Sequence, residues 1–486
     1  MNVRRTTIRL ESPDFELVEE LHVVTLEGEE AIGEPFWFEL EVELRRNEGR
    51  LDVEDVRGGR VAIVFEEDDV LVRKIWGVIP WVTDRMNPNQ RWRRYAIRVE
   101  PRLHWLSLIH ASDVLLDITV PDAIADKVGR MLPTDAFEMR LHADYPEREL
   151  IIQYQETDLA FVSRLAEHLG IGFFFEHGDT VEEGDKIVFA DSVESYPELP
   201  EPITYRRQFG RGLHELESTT SMVVERCVVK DYNYRTPTVE LTASAEVQDG
   251  YGGGYYEYAG HHQDPAQTER LATIRAEEMR SRETVYRGES DRMALSAGHV
   301  VTIEEHADLA DTRQLITRVH HAVRLRKARG DEEVREVERG YENSFVAIPA
   351  DRVFRPARVT PKPKMAGYFA GLIEPEDDAV IGASAKIDDW GRYWVRFLFD
   401  IEPRDGHSSK PIRMAQPHAG AGHGMHFPLR PGVEVAIGFA NGDPDRPIIL
   451  GALPNPVSPS PTVAKNSRHN ILNSASGIRI TVRDTL

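Results

Sequence analysis

His418, His423 and His426 fall in one short, glycine-rich stretch, PHAGAGHGMHF. Imidazoles gathered on a loop are common ligands for zinc or iron. The spacing matches no standard zinc motif, and no carboxylate is identifiable that would orient the rings. The expected role is packing or hydrogen bonding, with a metal site as the alternative that a symmetric assembly would favour. His261-His262 and His320-His321 are adjacent pairs. Neighbours on a strand point to opposite faces, so these pairs are poor chelates and structural roles are expected.

The sequence carries no other standard catalytic signature. The sequence has no P-loop, no G-x-S-x-G elbow, no H-E-x-x-H and no C-x-x-C. Gly250, Gly252, Gly253 and Gly254 cluster with Tyr251, Tyr255 and Tyr256. A phosphate cradle needs a helix immediately after it, and here helical signals begin only at Asp264-Pro265, so a bulged loop is expected. Gly420, Gly422 and Gly424 are followed by Pro428 and Pro431, which excludes a helix start there. Cys227 is the one cysteine. It permits no intrachain disulfide, which points to assembly in a reducing compartment. Its setting, Cys227-Val228-Val229, predicts a buried, inert thiol. A carboxylate pair for glycoside hydrolysis would not stand out among 82 acidic residues. No catalytic residue and no cofactor is assigned.

Net charge is −23. That argues against sequence-independent nucleic-acid binding and against adsorption to anionic membranes, both of which need basic surface. The first twenty residues hold no apolar core of a secretory signal. No run approaches the roughly 18 apolar residues of a membrane span. If the protein leaves its cell, the expected route needs no signal peptide.

The elements that must position these residues are mostly strands. Phe36 to Leu44 alternates apolar with acidic residues, and Val61 to Phe65, Val70 to Val82 and Trp92 to Val99 follow. Gly58-Gly59 and Asn87-Pro88-Asn89 punctuate them. Pro121 to Leu132 reads as a helix with Ile124, Val128 and Met131 on one face. Thr157 to Leu169 is a second, capped by Thr157 or Asp158 and ended by Gly170. A third starts at Asp264-Pro265 and runs to about Arg282. Thr284 to Glu289, Val300 to Glu304 and Leu315 to Val323 return to strand. Arg324 to Arg339, a run of mixed charge, reads as an exposed hairpin or loop.

Further along, Tyr393, Val395, Phe397 and Phe399 share one face, with Trp394, Arg396 and Leu398 on the other. Val433, Val435, Ile437 and Phe439 alternate again. Asn441-Gly442-Asp443-Pro444 supplies a turn with Gly442 free to take positive φ. Short strands closed by Gly/Pro turns indicate a small Greek-key barrel such as an OB-fold.

The residues of this segment resemble the VgrG family, the spike proteins of type VI secretion systems. The family pattern is carried by Gly391, Arg392, Val395, Arg396, Phe397 and Asp400; by Ala415 to Phe427, including Gln416 and Pro417; by Pro431, Gly432, Glu434 and Val435; and by Gly442 to Gly451, including Asp443 and Pro444. Ile151 to His177 is similar to the family's helix-and-strand signature, and Leu295 to His321 to its last hub barrel. The chain departs from the pattern at His418 and His423, where many relatives carry aromatic residues, often Trp.

The resemblance implies a mainly β fold with an α+β insert. The expected domains are a hub barrel at 1–115, an α+β insert at 116–205, a second hub barrel with a helix at 206–355, an OB-fold barrel at 365–453, and a linker with the start of a triple-stranded β-helix needle at 454–486. It implies a homotrimer with no enzymatic activity. The implied partners are the haemolysin-coregulated (Hcp) tube hexamer, a proline–alanine–alanine–arginine (PAAR) tip protein, effector cargo with its adaptor, and baseplate proteins. It implies assembly in the bacterial cytoplasm and export by type VI secretion. The hub–spike protein of an extracellular contractile particle or phage-like tail is the alternative reading, and a cell-wall hydrolase a remote one. Phage relatives of the latter kind carry a lysozyme domain after the OB-fold, and about 30 residues follow the barrel here. Ile478, Ile480 and Val482 form an apolar face and are expected to meet the same residues of two partner copies as the needle begins.

Overall fold

Antiparallel pairing between His22–Ala31 and Thr312–Arg326 joins strands from opposite ends of the first 350 residues into one sheet. The computed structural model describes residues 6–16, 21–47, 49–86, 91–181, 183–206, 212–309, 311–326, 338–376, 384–400 and 409–484. The expected turn at Asn87-Pro88-Asn89 and most of the mixed-charge run at Arg324 to Arg339 lie outside the described residues. The chain divides into two units. The first comprises Met1–Ile109, Val120–Tyr145 and Thr157–Pro361; the second comprises His110–Thr119, Pro146–Glu156 and Lys362–Leu486.

In the first unit the largest sheet runs Leu213–Thr220, Thr284–Ser290, Glu338–Pro349, Thr312–Arg326, His22–Ala31, Glu34–Arg45, Trp92–Val99 and Val82–Asp84, with Val300–Glu304 also paired to Thr312–Arg326. The Glu34–Arg45 strand follows the period-2 pattern: Phe36, Phe38, Leu40, Val42 and Leu44 are buried and the acids between them are not. Each such side chain contributes about 1.5–3 kcal/mol by leaving water. The sequence placed strands 1–115 and 206–355 in separate barrels. Alternation says which face of a strand is buried but not which strand is its neighbour, and here the two sets hydrogen-bond to each other.

The helix Asp158–His168 starts where Thr157 Oγ1 accepts the Ala160 N–H and ends before Gly170, whose φ is +68°. Burial extends around the helix, taking in Ser163, Arg164 and Glu167 as well as Phe161, Val162 and Leu165. The preceding helix is Val120–Gly129. Met131 therefore lies beyond it and is exposed, not on its buried face. The helix Pro265–Arg280, capped by Asp264, covers a three-stranded sheet of Arg226–Asp231, Leu241–Glu246 and Gly254–Tyr258. Cys227 lies in the core beneath it, and burial pushes its thiol up to about 11.

In the second unit the strands Val395–Phe397, Phe369–Ile373, Glu434–Phe439 and Pro447–Ala452 lie side by side in that order. A fifth, shorter segment closes the ring: Tyr393 pairs with Ile412, and Met414 with Ile449. Tyr393, Val395 and Phe397 point into the core, while Leu398 faces water, as the alternation requires. The same core takes Val114, Leu150 and Ile152. These belong to segments that the sequence reading assigned to the hub, because periodicity alone cannot say which core a strand fills.

Candidate functional site

The glycine-rich stretch folds as a two-strand hairpin in which Ala419 pairs with Gly424 and Gly420 with His423. Ala421 and Gly422 turn it, Gly422 at φ +74°. His418 and His423 are diagonal neighbours on one face, with ring centroids 5.1 Å apart. His426 is directed elsewhere. Its Nδ1 accepts the Gln416 side-chain N–H at 3.2 Å, its Nε2 bonds the Tyr393 hydroxyl at 2.8 Å, and its ring stacks on Tyr393 with centroids 5.9 Å apart. The three histidines singled out by spacing thus separate into a neighbouring pair, His418 and His423, and a single, His426, bonded to Tyr393 and Gln416.

The glycine and proline turns hold the barrel's corners. Gly391, at φ +74°, follows Asp388, whose carboxylate accepts the Arg392 backbone N–H at 2.8 Å and its guanidinium at 2.6 Å. Burial opposes the charge on Asp388, but these Arg392 bonds hold its carboxyl below the usual range. The Gly432 N–H donates to the Ile373 carbonyl at 2.8 Å, and Glu434 accepts the Asn455 side chain at 2.9 Å. Asn441 and Gly442 take φ of +57° and +72° in succession, a backbone that β-branched residues resist. Beyond them Asp443 and Asp445 both bind Lys362, at 2.5 and 2.9 Å, and Asp445 accepts the Ile152 N–H at 2.6 Å. Pro444 is buried between these two acids. Gly451 sits where the pairing with Glu434–Phe439 slips by one residue. Pro417 is exposed beside His418.

The terminal strand forms a hairpin. Arg479–Arg483 pairs antiparallel with His469–Asn473 of its own chain, Leu472 opposite Ile480 and Asn470 opposite Val482. Alternation then puts Leu472, Ile478, Ile480 and Val482 on one face. Ile478, Ile480 and Val482 are 68%, 58% and 57% exposed. The alternating pattern was legible. The hairpin was not, because His469–Asn473 carries no alternation of its own.

Sequence reasoning also missed a buried polar chain in the first unit. Glu30 takes two bonds from Arg73 at 2.8 Å, one from Ser296 at 2.9 Å and one from His321 Nε2 at 2.9 Å. The Tyr341 hydroxyl donates to His321 Nδ1 at 2.6 Å and accepts from Asn343 at 3.0 Å. Burial works against the Glu30 charge, but Arg73 and the His321 bond hold its carboxyl well below the usual range. Burial keeps His321 neutral by lowering its pKa. His320, its neighbour, faces the other side near Glu27. The two rings of the adjacent pair thus face opposite sides of the strand, as alternation requires. The chain ties four strands and a loop together.

Comparison with known proteins gives a consistent result. Residues 29–326 match the phage tail baseplate hub (GPD) family, and residues 385–453 match the type VI secretion system/phage-baseplate injector OB domain. The chain is 28% identical over 479 residues to the type VI secretion system spike protein VgrG5 of Pseudomonas aeruginosa, covering 93% of this chain and 58% of that protein. It is 28% identical over 431 residues to the actin cross-linking toxin VgrG1 of Vibrio cholerae, covering 86% of this chain and 38% of that one. The chain therefore spans between about two fifths and three fifths of the length of these relatives. A component of the E. coli type VI secretion system, itself similar in structure to bacteriophage T4 tail proteins, shares the fold with a TM-score of 0.65 at 24% identity, covering 92% of this chain and 100% of that one.

Proposed function

The chain belongs to the phage tail baseplate hub family, and from that premise we propose that it serves as the hub and spike base of a type VI secretion system. Its role is mechanical. Three copies form a ring that meets the Hcp tube, a PAAR protein tips the needle, and effectors with their adaptors travel as cargo. Baseplate proteins hold the ring before firing. The observation that carries this reading is the terminal hairpin, whose apolar face is open to water. A two-stranded ribbon cannot bury such a face alone, whereas three ribbons around a shared axis can.

A closed barrel, which leaves no unpaired strand edge, and a large sheet tied by a buried ion pair suit force transmission. Among the described residues no helix is long and apolar enough to cross a membrane. The proposed route is assembly in the cytoplasm and export through the secretion apparatus. The same parts would serve a phage-like or extracellular injection particle, which the description of the OB domain also covers. No hydrolase role is proposed for the residues described.

Light scattering of the full-length protein tests the assembly. A trimer is expected, and a concentration-independent monomer or dimer would overturn it. Secretion tests the context: deletion should abolish export of the tube protein in a host that carries the apparatus. Continued export would remove this chain from the machine.

A further inference from the structure

We propose that His418 and His423 form a site for one borderline divalent transition metal ion, zinc or copper, on the glycine hairpin of the second unit. The two rings sit diagonally on one face with centroids 5.1 Å apart. Two imidazoles on one tetrahedral ion, each bound at about 2 Å through a ring nitrogen, place their centroids about 5 Å apart. The pair is thus spaced as two ligands of one ion would be.

The tautomer is suited to binding. His423 Nδ1 lies 3.1 Å from the Ala421 carbonyl, which can only accept, so the proton is on Nδ1 and Nε2 keeps its lone pair. A ring N–H donated to a backbone carbonyl is the usual support of a ligating histidine. Room for the ring comes from Gly420. A Cβ there would lie 2.5 Å from His423 Cε1 and Nε2, so any other residue would push the imidazole off the strand. The hairpin is itself held, the Met425 N–H donating to the His418 carbonyl at 2.9 Å.

The donor set selects the ion. The proposed protein donors are two imidazoles, whereas magnesium and calcium take oxygen ligands. Neutral imidazoles favour copper and zinc. Water completes the coordination. His426 is left out because Tyr393 and Gln416 engage it.

The test is calorimetric titration of the full chain with zinc chloride and with copper chloride. The protein has 18 histidines, so the readout is the difference between variants. His418→Ala and His423→Ala should each remove one ion per chain or weaken it at least tenfold. Gly420→Ala should weaken it as well, and His426→Ala should leave it unchanged. His418→Gln and His423→Gln keep the side chain polar and guard against a folding artefact, with circular dichroism as the check. Unchanged stoichiometry and affinity in the His418 and His423 variants would overturn the site, as would loss of the ion in His426→Ala alone.

Discussion

The hub interior and the terminal hairpin break the usual partition of side chains in opposite directions. The hub buries Glu30, Arg73 and His321, with Glu30 4% and His321 0% exposed. The hairpin leaves Ile478, Ile480 and Val482 more than half exposed. In the hub Glu30 and Arg73 pair within the same unit, with Ser296 and His321 also bonded to the carboxylate, so the charge is balanced in one chain. In the hairpin the apolar face has no cover within the described residues of its own chain. One region is finished by itself, and the other has an apolar face that the proposed partner copies would cover. The difference locates specificity: polar chains fix which strands pair, whereas an apolar stripe fixes only that something must cover it.

The largest effect should come from breaking the hub's buried pair. Arg73→Ala leaves Glu30 charged and uncompensated, which costs about 3–5 kcal/mol. Urea unfolding followed by fluorescence would show it as a large drop in midpoint. The double variant Glu30→Leu/Arg73→Met removes both charges and should restore much of the loss. If Arg73→Ala were as stable as the wild type, the hub's charges would be ornamental and the comparison would fail.

Acidification should come next, and its sign follows from burial. Burial lowers the pKa of His177 to about 3 and lowers those of His299 and His321. These groups are neutral in the folded hub, while unfolded histidine titrates near 6.5. Their contribution is complete above that value. It is lost as pH falls, because the unfolded chain takes up protons that the folded chain refuses. Each such group adds a slope of about 1.4 kcal/mol per pH unit. Glu30, held low, contributes in the same direction: its share is present above the ordinary carboxylate range and disappears as pH falls through its folded value. Urea midpoints should therefore fall steadily from pH 6.5 to 4.5. His177→Gln, which can still accept the Trp76 N–H bond now made at 3.2 Å, should flatten that slope by one proton's worth. A flat profile in the wild type would show that these histidines are solvated.

Which parts were legible in the sequence follows from what periodicity encodes. The Tyr393 to Phe399 run declared its buried face, and Asn441-Gly442 declared a turn with positive φ at Gly442; the positive φ of Asn441 was not read. Thr157 and Asp264 declared helix starts, because caps are local chemistry. The Glu30 chain was silent. A glutamate in GEEAIGEPF looks like any surface acid, and its partners Arg73, Ser296, His321 and Tyr341 are scattered over 300 residues of chain. The division of the histidines was equally silent, since it depends on Tyr393 lying where it can take His426. Long-range pairing of strands, and of charges, is written in no local period.

A smaller effect is expected at the barrel's turn. Gly442→Val forces a β-branched residue to φ near +72°, at about 1–2 kcal/mol. The loss should be confined to the second unit. Hydrogen exchange should show it as faster opening of Glu434–Phe439 and Pro447–Ala452, with the hub strands unchanged. Equal loosening of the hub would mean that the two units do not unfold separately.

The smallest effect on the stability of a single chain should come from the hairpin, and it sharpens the comparison most. Ile480 is 58% exposed opposite Leu472. Ile480→Asp removes little buried surface from its own chain, so the change should stay within about 0.5 kcal/mol. In an assembled trimer the same substitution would bring three carboxylates together on an apolar axis, where neither water nor a counter-charge is at hand. Assembly should then fail while each chain stays folded. Sedimentation of the full-length protein would read the first property and circular dichroism the second. Thr481→Asp is the control: Thr481 pairs with Ile471 on the opposite face, and a charge there should leave assembly intact. If both substitutions were tolerated in assembly, the exposed face would not be a contact between copies. If Ile480→Asp unfolded the single chain, the hairpin would already be complete within it.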